Sequence, residues 1–419
     1  MKAIIISIGD ELLIGQTINT NAAWLGIELN QLGIKVTNQL VISDNYDDII
    51  ETIKYAVSKT DIIIITGGLG PTKDDITKVA LCGYFGSELE LNQTAFEKLK
   101  KFYADRGREI TETNIRQVYV PNNAKILNNS VGAAPGTFYE FENKMLFSLP
   151  GVPREMKAIF KEEIVGIITN EKDNFSENEF YSNRIIYTAG IPESTLSDLL
   201  LSVETNNQEV KIAYLPSYRG VKLRLDTFGT DKSELESNLD KTDKQIKEAI
   251  GKYYIIENTD ILGAISLLLK ENNLTIATAE SCTGGLLGQL LTSISGSSDY
   301  YIGGIISYSN EVKMHYLDVK NTTLDEFGAV SEQTAIEMAT NCRDKFKTNF
   351  AISITGIAGP NGGSEEKTVG TVYIGLSTTV GTIAEKYIFG KDREINRELS
   401  CSYALFMLYR YIQDAKYKN

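Results

Sequence analysis

An α/β chain of several domains is the architecture this sequence predicts, and three observations predict it. Apolar runs such as Ile62-Ile-Ile-Ile65 empty into glycine loops that open helices, and this order recurs near both ends of the chain. It marks doubly wound sheets buried on both faces. A charged stretch, residues 170 to 179, follows the first such block. Beyond it, Arg219 to Phe228 alternates apolar and polar side chains, as a strand with one wet face does. The reading is a doubly wound α/β domain over 1–169, a small α+β module over 170–256 and a second α/β domain over 257–419. A length of 419 residues suits two or three domains.

Composition narrows the class. Apolar content of 42% is ordinary for a soluble chain, and the formal net charge of −13 argues against a broad nucleic-acid surface. Cys82, Cys282, Cys342 and Cys401 stand far apart with no paired spacing. That pattern predicts reduced thiols in a cytoplasmic protein, not a disulfide frame or a zinc knuckle. The apolar run after Met1 is too short for a signal peptide and reads as a first strand, and no stretch of membrane-spanning length is free of charge.

The amino-terminal block reads in order as a buried strand over residues 3–8 ending in Gly9-Asp-Glu11, a loop to Asn21, a helix from Ala22 to Leu32 stopped by Gly33, a strand near residues 34–40 and a helix from Asp47 to Ser58. Ile62–Ile65 then delivers Thr66-Gly-Gly-Leu-Gly-Pro-Thr-Lys-Asp-Asp-Ile-Thr77. A site is expected at the carboxyl ends of these strands. Gly67, Gly68 and Gly70 can bring amides against phosphate. Asp10, Glu11, Asp74 and Asp75 are hard oxygen donors suited to a divalent cation. Asn19 and Asn21 add polar groups nearby. The plainer reading of Asp74 and Asp75 is a favourable charge at a helix start. A helix from Gln93 to Tyr103, a hairpin of residues 137–141 and 144–148, and a helix begun by Pro153 complete the block.

In the middle module strands near residues 184–188 and 210–214 flank a helix from Glu193 to Ser202, and Ser233 to Ile250 reads as helix. It has no catalytic cluster, and the Gly-x-x-Gly loop of one single-stranded nucleic-acid module is missing. The last block carries the densest signal. Leu274 to Ala277 reads as a strand, Thr278-Ala-Glu-Ser-Cys-Thr-Gly-Gly285 as the turn, and Leu286 to Leu291 as a helix. Ser281 is placed where backbone N–H groups gather at a helix start, which suits oxyanion stabilisation or simply an N-cap. A second strand, Tyr301 to Ser307, delivers Tyr308, Ser309 and Asn310 and a short helix with Lys313. The only histidine is His315, so a serine nucleophile here needs a lysine or tyrosine as its base. Cys282 is the rival nucleophile. The loop Gly356-Ile-Ala-Gly359 and the pair Arg393 and Arg397 read either as ligand-facing or as a wide turn and an ion-pairing helix face.

These motifs carry a resemblance. Gly9-Asp-Glu-Leu-Leu, Asn19-Thr-Asn21, Gly67-Gly-Leu-Gly-Pro-Thr, Asp74-Asp-Ile-Thr77, Ala279-Glu-Ser-Cys-Thr-Gly-Gly285, Tyr308-Ser-Asn-Glu-Val-Lys313, Gly328-Ala-Val-Ser331, Thr355-Gly-Ile-Ala-Gly-Pro360 and Gly370-Thr-Val372 are similar to those of the bacterial CinA family, end to end. The resemblance implies a molybdopterin-binding-like first domain, a KH-like linking module and a carboxyl-terminal nicotinamide mononucleotide deamidase domain. It implies Ser281 as nucleophile with Tyr308 and Lys313 activating it, and Cys282, Thr283, Gly284, Gly285, Asn310, Gly356, Gly359, Arg393 and Arg397 about the substrate. It also implies ADP-ribose pyrophosphatase chemistry in the first domain, with a divalent metal (Mg, Mn, Co or Ni) and Asp10, Glu11, Asn19, Asn21, Gly67, Gly68, Gly70, Asp74 and Asp75 around it. Two departures stand out: Gly132-Ala-Ala-Pro-Gly136 where the family often has Gly-Thr-Ala-Pro-Gly, and Lys367-Thr-Val-Gly370 where it often has Lys-Pro-Val-Gly.

The expected chemistry is thus an amidohydrolase in pyridine nucleotide salvage. Lys313 is held neutral by burial and nearby positive charge, and Ser281 forms an acyl-enzyme with its oxyanion against amides near Cys282 to Gly284. Deamidation needs no cofactor. The expected partners are small nucleotides and a second copy of the chain in a homodimer, with no membrane. The alternative is a non-catalytic nucleotide- or pterin-binding protein, or a competence accessory.

Overall fold

The computed structural model describes residues 1–72, 74–105, 107–171 and 180–416. Of the expected boundary at residues 170–179, residues 172–179 lie outside the described residues, as does Lys73 of the first glycine loop. The chain divides into two compact units, Met1–Asn183 with Phe228–Leu235, and Arg184–Thr227 with Glu236–Asn419. No helix is long and apolar enough to cross a membrane among the described residues, and the four cysteines are free and buried.

The strands of the first unit are β1 (Lys2–Ile8), β2 (Lys35–Ile42), β3 (Ile62–Thr66), β4 (Leu89–Leu91), β5 (Tyr119–Pro121), β6 (Lys125–Leu127), β7 (Gly136–Phe141) and β8 (Lys144–Leu149). Six make one sheet in the order β2-β1-β3-β8-β7-β6, while β4 pairs with β5 apart from it. The first four run parallel, and β7 and β6 are antiparallel additions. Alternate side chains feed two cores, as strand geometry demands. Ile5, Ile62, Ile64 and Phe147 pack with Leu25, Leu29, Ile159 and Phe160 of helices on one face. Ile4, Ile6, Ile63 and Ile65 pack with Ile49, Ile53 and Leu81 on the other. The long apolar runs are buried on both sides for this reason.

Helix starts follow local chemistry. Asn19 caps Thr20–Gln31 by accepting from the Ala22 amide, so the helix begins two residues before its expected start. Asn45 caps Tyr46–Lys59. Pro153 opens Pro153–Ile159, which continues through a wider turn at Phe160–Ile164. Arg116–Val118 forms a single 3₁₀ turn after the short helix Glu112–Ile115.

In the second unit and its approach, β9 (Phe180–Tyr187), β10 (Val210–Ser217) and β11 (Gly220–Gly229) form a three-stranded sheet in the order β10-β11-β9. The helices Glu193–Asn206 and Lys232–Ile250 accompany it. The larger sheet contains β12 (Ile276–Glu280), β13 (Tyr301–Ile306), β14 (Phe350–Gly356), β15 (Thr371–Thr378) and β16 (Gly381–Ile388), in the order β13-β12-β14-β15-β16. The first three are parallel and the last two antiparallel. Thr278 to Glu280, read from sequence as part of the turn, are strand. They lie between two parallel neighbours, with Thr278 opposite Gly304 on one side and Ile352 on the other. Ser281 therefore stands directly at the strand's carboxyl end.

Candidate active site

Lys313 decides the site in the second unit. Ser309 caps the helix Asn310–Leu317 by accepting from the Val312 amide, and this starts the turn that carries Lys313 inward. The side chain is only 1% exposed. Its Nζ lies 3.0 Å from Ser281 Oγ and donates to the carbonyl oxygens of Ser307 (2.7 Å) and Tyr308 (3.3 Å). Burial pulls its pKa down to about 8, with the nearby Cys282 a smaller opposing influence. Burial alone thus supplies what the sequence reading assigned partly to neighbouring positive charge. A neutral amine has two N–H groups and one lone pair; with the two N–H groups on the carbonyls, the lone pair is left for the serine hydroxyl.

The turn that holds Ser281 is built by three devices. The Ser281 amide donates to Ile354 O at 2.9 Å, which ties it to β14. Gly284 and Gly285 take φ values of 61° and 97°, a left-handed backbone that residues with a Cβ resist. Arg397 donates to Thr283 O from Nε (3.3 Å) and Nη2 (3.0 Å). The expectation that the helix start offers free amides needs correction. Gly285, Leu287 and Gly288 all donate to the Glu280 carboxylate, and the Gly284 amide donates to Ser281 O. Among the described residues the amides of Cys282 and Thr283 are the ones in this turn that bond no oxygen, the Cys282 amide lying against its own thiol.

Tyr308 also departs from its expected role. It is 61% exposed, and its hydroxyl accepts from Arg393 Nη2 at 3.2 Å. What Tyr308 gives Lys313 is a backbone carbonyl, while its exposed hydroxyl is held by Arg393. Arg393 also donates to Gly359 O at 3.0 Å, joining the Tyr308 loop to the Gly356–Gly359 loop. Arg393 opens the last helix, Arg393–Lys416, and Arg397 follows one turn later, paired with Glu394. Asn310 is exposed at the start of its helix. Gly356 answers to packing: a Cβ there would meet Val372 Cγ2 at 2.7 Å and Thr371 O at 2.8 Å. The rival nucleophile is 6% exposed, and burial pushes the Cys282 thiol up to about 12. A thiol held protonated is a poor nucleophile. His315 is outside the site, its Nδ1 3.0 Å from Glu311 O.

In the first unit a pocket of about 450 Å³ opens at the carboxyl ends of β1 and β3, lined among others by Glu11, Asn21, Gly68, Asp44 and Glu155. Its position is the one a doubly wound sheet predicts. The glycine loop is less open to phosphate than its sequence suggests. The Gly67 amide donates to Leu149 O, and the Gly70 amide to Asp75 Oδ1. A Cβ on Gly67 would meet Ile8 O at 2.3 Å, so that glycine lets two strand ends approach. Asn19 caps a helix and donates to Ser7 Oγ, while Asn21 donates to Gly151 O. Asp75 staples its own loop, accepting from the Gly70 and Thr72 amides at 2.8 and 2.7 Å. Thr72 holds the Asp74 carboxyl below its usual range.

Asp44 is the residue here that sequence reading missed. Burial raises its pKa, and the charges of Asp10, Glu11 and Asp74 add to the rise. These carboxylates crowd one rim, yet no three His, Cys, Asp or Glu side chains gather to hold a metal ion among the described residues. The set as placed does not form a resident metal centre. Two other ionisable side chains, half-buried Glu155 and buried Lys78, were equally hidden. Glu155 takes a bond from Asn129 Nδ2 at 2.7 Å. Lys78, in the helix Thr77–Phe85, donates to Gln117 O at 2.8 Å, and burial pulls its pKa down to about 8. The departure at Ala133 faces an apolar cluster with Leu99 and Val118, while its neighbour Ala134 lines the pocket.

Comparison with known proteins agrees with this layout. Residues 4–170 match the model of a probable molybdopterin binding domain, residues 183–255 that of the damage-inducible protein CinA KH domain, and residues 258–412 that of the CinA C-terminal domain. A CinA-like protein from Flavobacterium psychrophilum is 41% identical over 98% of this chain and 99% of its own. Another from Trichormus variabilis is 40% identical over 98% and 99%. Among solved structures, the protein CinA with unknown function from Thermoplasma acidophilum is 34% identical and covers 40% of this chain and 98% of its own, with a TM-score of 0.37. A competence/damage inducible protein from Agrobacterium tumefaciens is 40% identical over 35% of this chain and 91% of its own, with a TM-score of 0.35. Three domain models in sequence, and relatives matched over nearly their whole length, place the chain in the CinA family.

Proposed function

We propose that the second unit is a serine amidohydrolase that converts nicotinamide mononucleotide to nicotinate mononucleotide and ammonia. The observation that carries this reading is the buried Lys313 amine 3.0 Å from Ser281 Oγ. The family resemblance supplies the substrate; the geometry supports the chemistry. Neutral Lys313 takes the proton from Ser281 Oγ as the oxygen attacks the carboxamide carbon. The oxyanion falls to the Cys282 and Thr283 amides, neither of which is bonded to a backbone carbonyl. Lys313 returns its proton to the nitrogen, the C–N bond breaks and ammonia leaves. Water, deprotonated by the same amine, attacks the ester, and nicotinate mononucleotide departs as the serine regains its proton. Arg393, exposed beside the site, suits the phosphate of the substrate. Incubating the full chain with nicotinamide mononucleotide and resolving the products tests the reading: nicotinate mononucleotide and ammonia in equal amounts support it, and unchanged substrate refutes it.

We propose a second activity for the first unit. The pocket at the carboxyl ends of β1 and β3 has the size and polar rim of a nucleotide diphosphate site. We assign it ADP-ribose as ligand, any divalent cation arriving with the phosphates rather than residing in a protein cage. Cleavage of ADP-ribose on addition of Mg, Mn, Co or Ni salts supports this. Binding of ADP-ribose with no product would leave a nucleotide-binding domain instead.

A further inference from the structure

Glu280 is a carboxyl-bearing side chain with 2% exposure, at the carboxyl end of β12 and next to Ser281. Its carboxylate takes three backbone N–H groups at once: Gly285 (2.9 Å) and Leu287 (3.1 Å) on Oε2, and Gly288 (2.8 Å) on Oε1. A buried carboxylate is expensive unless its oxygens are satisfied, and here backbone amides satisfy it. The chain between Glu280 and these amides is the Ser281–Gly285 turn itself. Its two ends are therefore clamped together, with both left-handed glycines inside the loop so closed.

We propose that Glu280 is a positioning residue for Ser281, its carboxylate fixing the turn that aims Oγ at Lys313. The proposal rests on the reading of Ser281 as nucleophile. Three donors explain the residue type. A glutamine has one acceptor oxygen, which serves two of the N–H groups, while its own NH₂ faces the third. Aspartate is one carbon shorter. Alanine releases all three amides and opens a space the size of a small carboxylate. Glu280 also adds to the burial that keeps Cys282 a thiol, so the same group that sets the serine disfavours its rival.

The test uses the full chain and the variants Glu280→Ala and Glu280→Gln, with two readouts. The first is turnover of nicotinamide mononucleotide. In Glu280→Ala, kcat falls about 100-fold, the scale of a misplaced reacting group, while KM stays within about twofold. In Glu280→Gln the fall is about tenfold, and the pH midpoint set by Lys313 stays put. Added formate, which fits the vacated space, restores part of the Glu280→Ala rate. The second readout is the rate at which a fluorophosphonate labels Ser281, followed by intact mass, which assumes nothing about the substrate. Labelling slows in Glu280→Ala and recovers with formate. If wild-type protein releases no ammonia but labelling behaves this way, the deamidase reading fails and the role of Glu280 stands. A folded Glu280→Ala that labels at the wild-type rate, or a loss that formate does not restore, overturns it. If Glu280→Ala does not fold, Glu280→Gln decides: an unchanged rate refutes the proposal, a reduced one sustains it.

Discussion

In the proposed mechanism, Ser281 and Lys313 make the chemistry a matter of one proton. A lysine whose pKa is pulled down to about 8 is mostly charged at neutral pH, and only the neutral form accepts the serine proton. The sign follows: kcat/KM for nicotinamide mononucleotide rises about tenfold per unit as pH increases toward 8 and levels above it. A profile flat from pH 6 to 9 would remove Lys313 as the base. Lys313→Arg keeps the charge but cannot deprotonate, so it should lower kcat by about 10² to 10⁴-fold. The sequence made half of this legible. A lone histidine at 315 means that a serine nucleophile here takes another base, but most lysines are solvated, and nothing in Lys313's spacing announces that it is buried. The direction of the Tyr308 side chain was not legible at all. It depends on how a strand end turns, and it leaves the hydroxyl with Arg393 and only the carbonyl with Lys313.

The strand–turn–helix unit around Ser281 was legible as an element because its apolar run, glycine pair and second apolar run each have a distinct pattern. What the pattern hid was the strand end and the fate of the helix amides. Thr278 to Glu280, read as turn, are strand, and the Glu280 carboxylate at its end occupies the amides. Gly285 tests the element. At φ 97° a side chain is strained, and a Cβ would meet Ile306 Cδ1 at 2.9 Å. Gly285→Ala should cost about 1–2 kcal/mol in the second unit and reduce kcat with little change in KM. Thermal melting and steady-state kinetics on the same preparation check both halves; unchanged kcat would mean the turn tolerates a right-handed path. Short elements escaped sequence reading for a simpler reason. β4, β5 and β6 have three residues each, too few to show a period.

At the scale of the whole chain, the two candidate sites sit in separate compact units. Substitutions without shared partners add independently. Asp75→Ala releases the Gly70 and Thr72 amides and should abolish ADP-ribose cleavage while leaving deamidation unchanged. Ser281→Ala should do the reverse, and parallel assays of both activities on both variants check it. Loss of both activities in either variant would contradict independence. The division into glycine-loop α/β blocks about a smaller module was legible because buried parallel strands and half-wet strands differ in pattern along the chain. The Asp44 cluster was not, since its members come together only through folding. The most direct measurement of the central claim is ammonia release from nicotinamide mononucleotide by the intact chain, Ser281→Ala and Cys282→Ala side by side. The account predicts full loss in the serine variant and near-normal release in the cysteine variant. Loss in the cysteine variant alone, or release that survives Ser281→Ala, would contradict it.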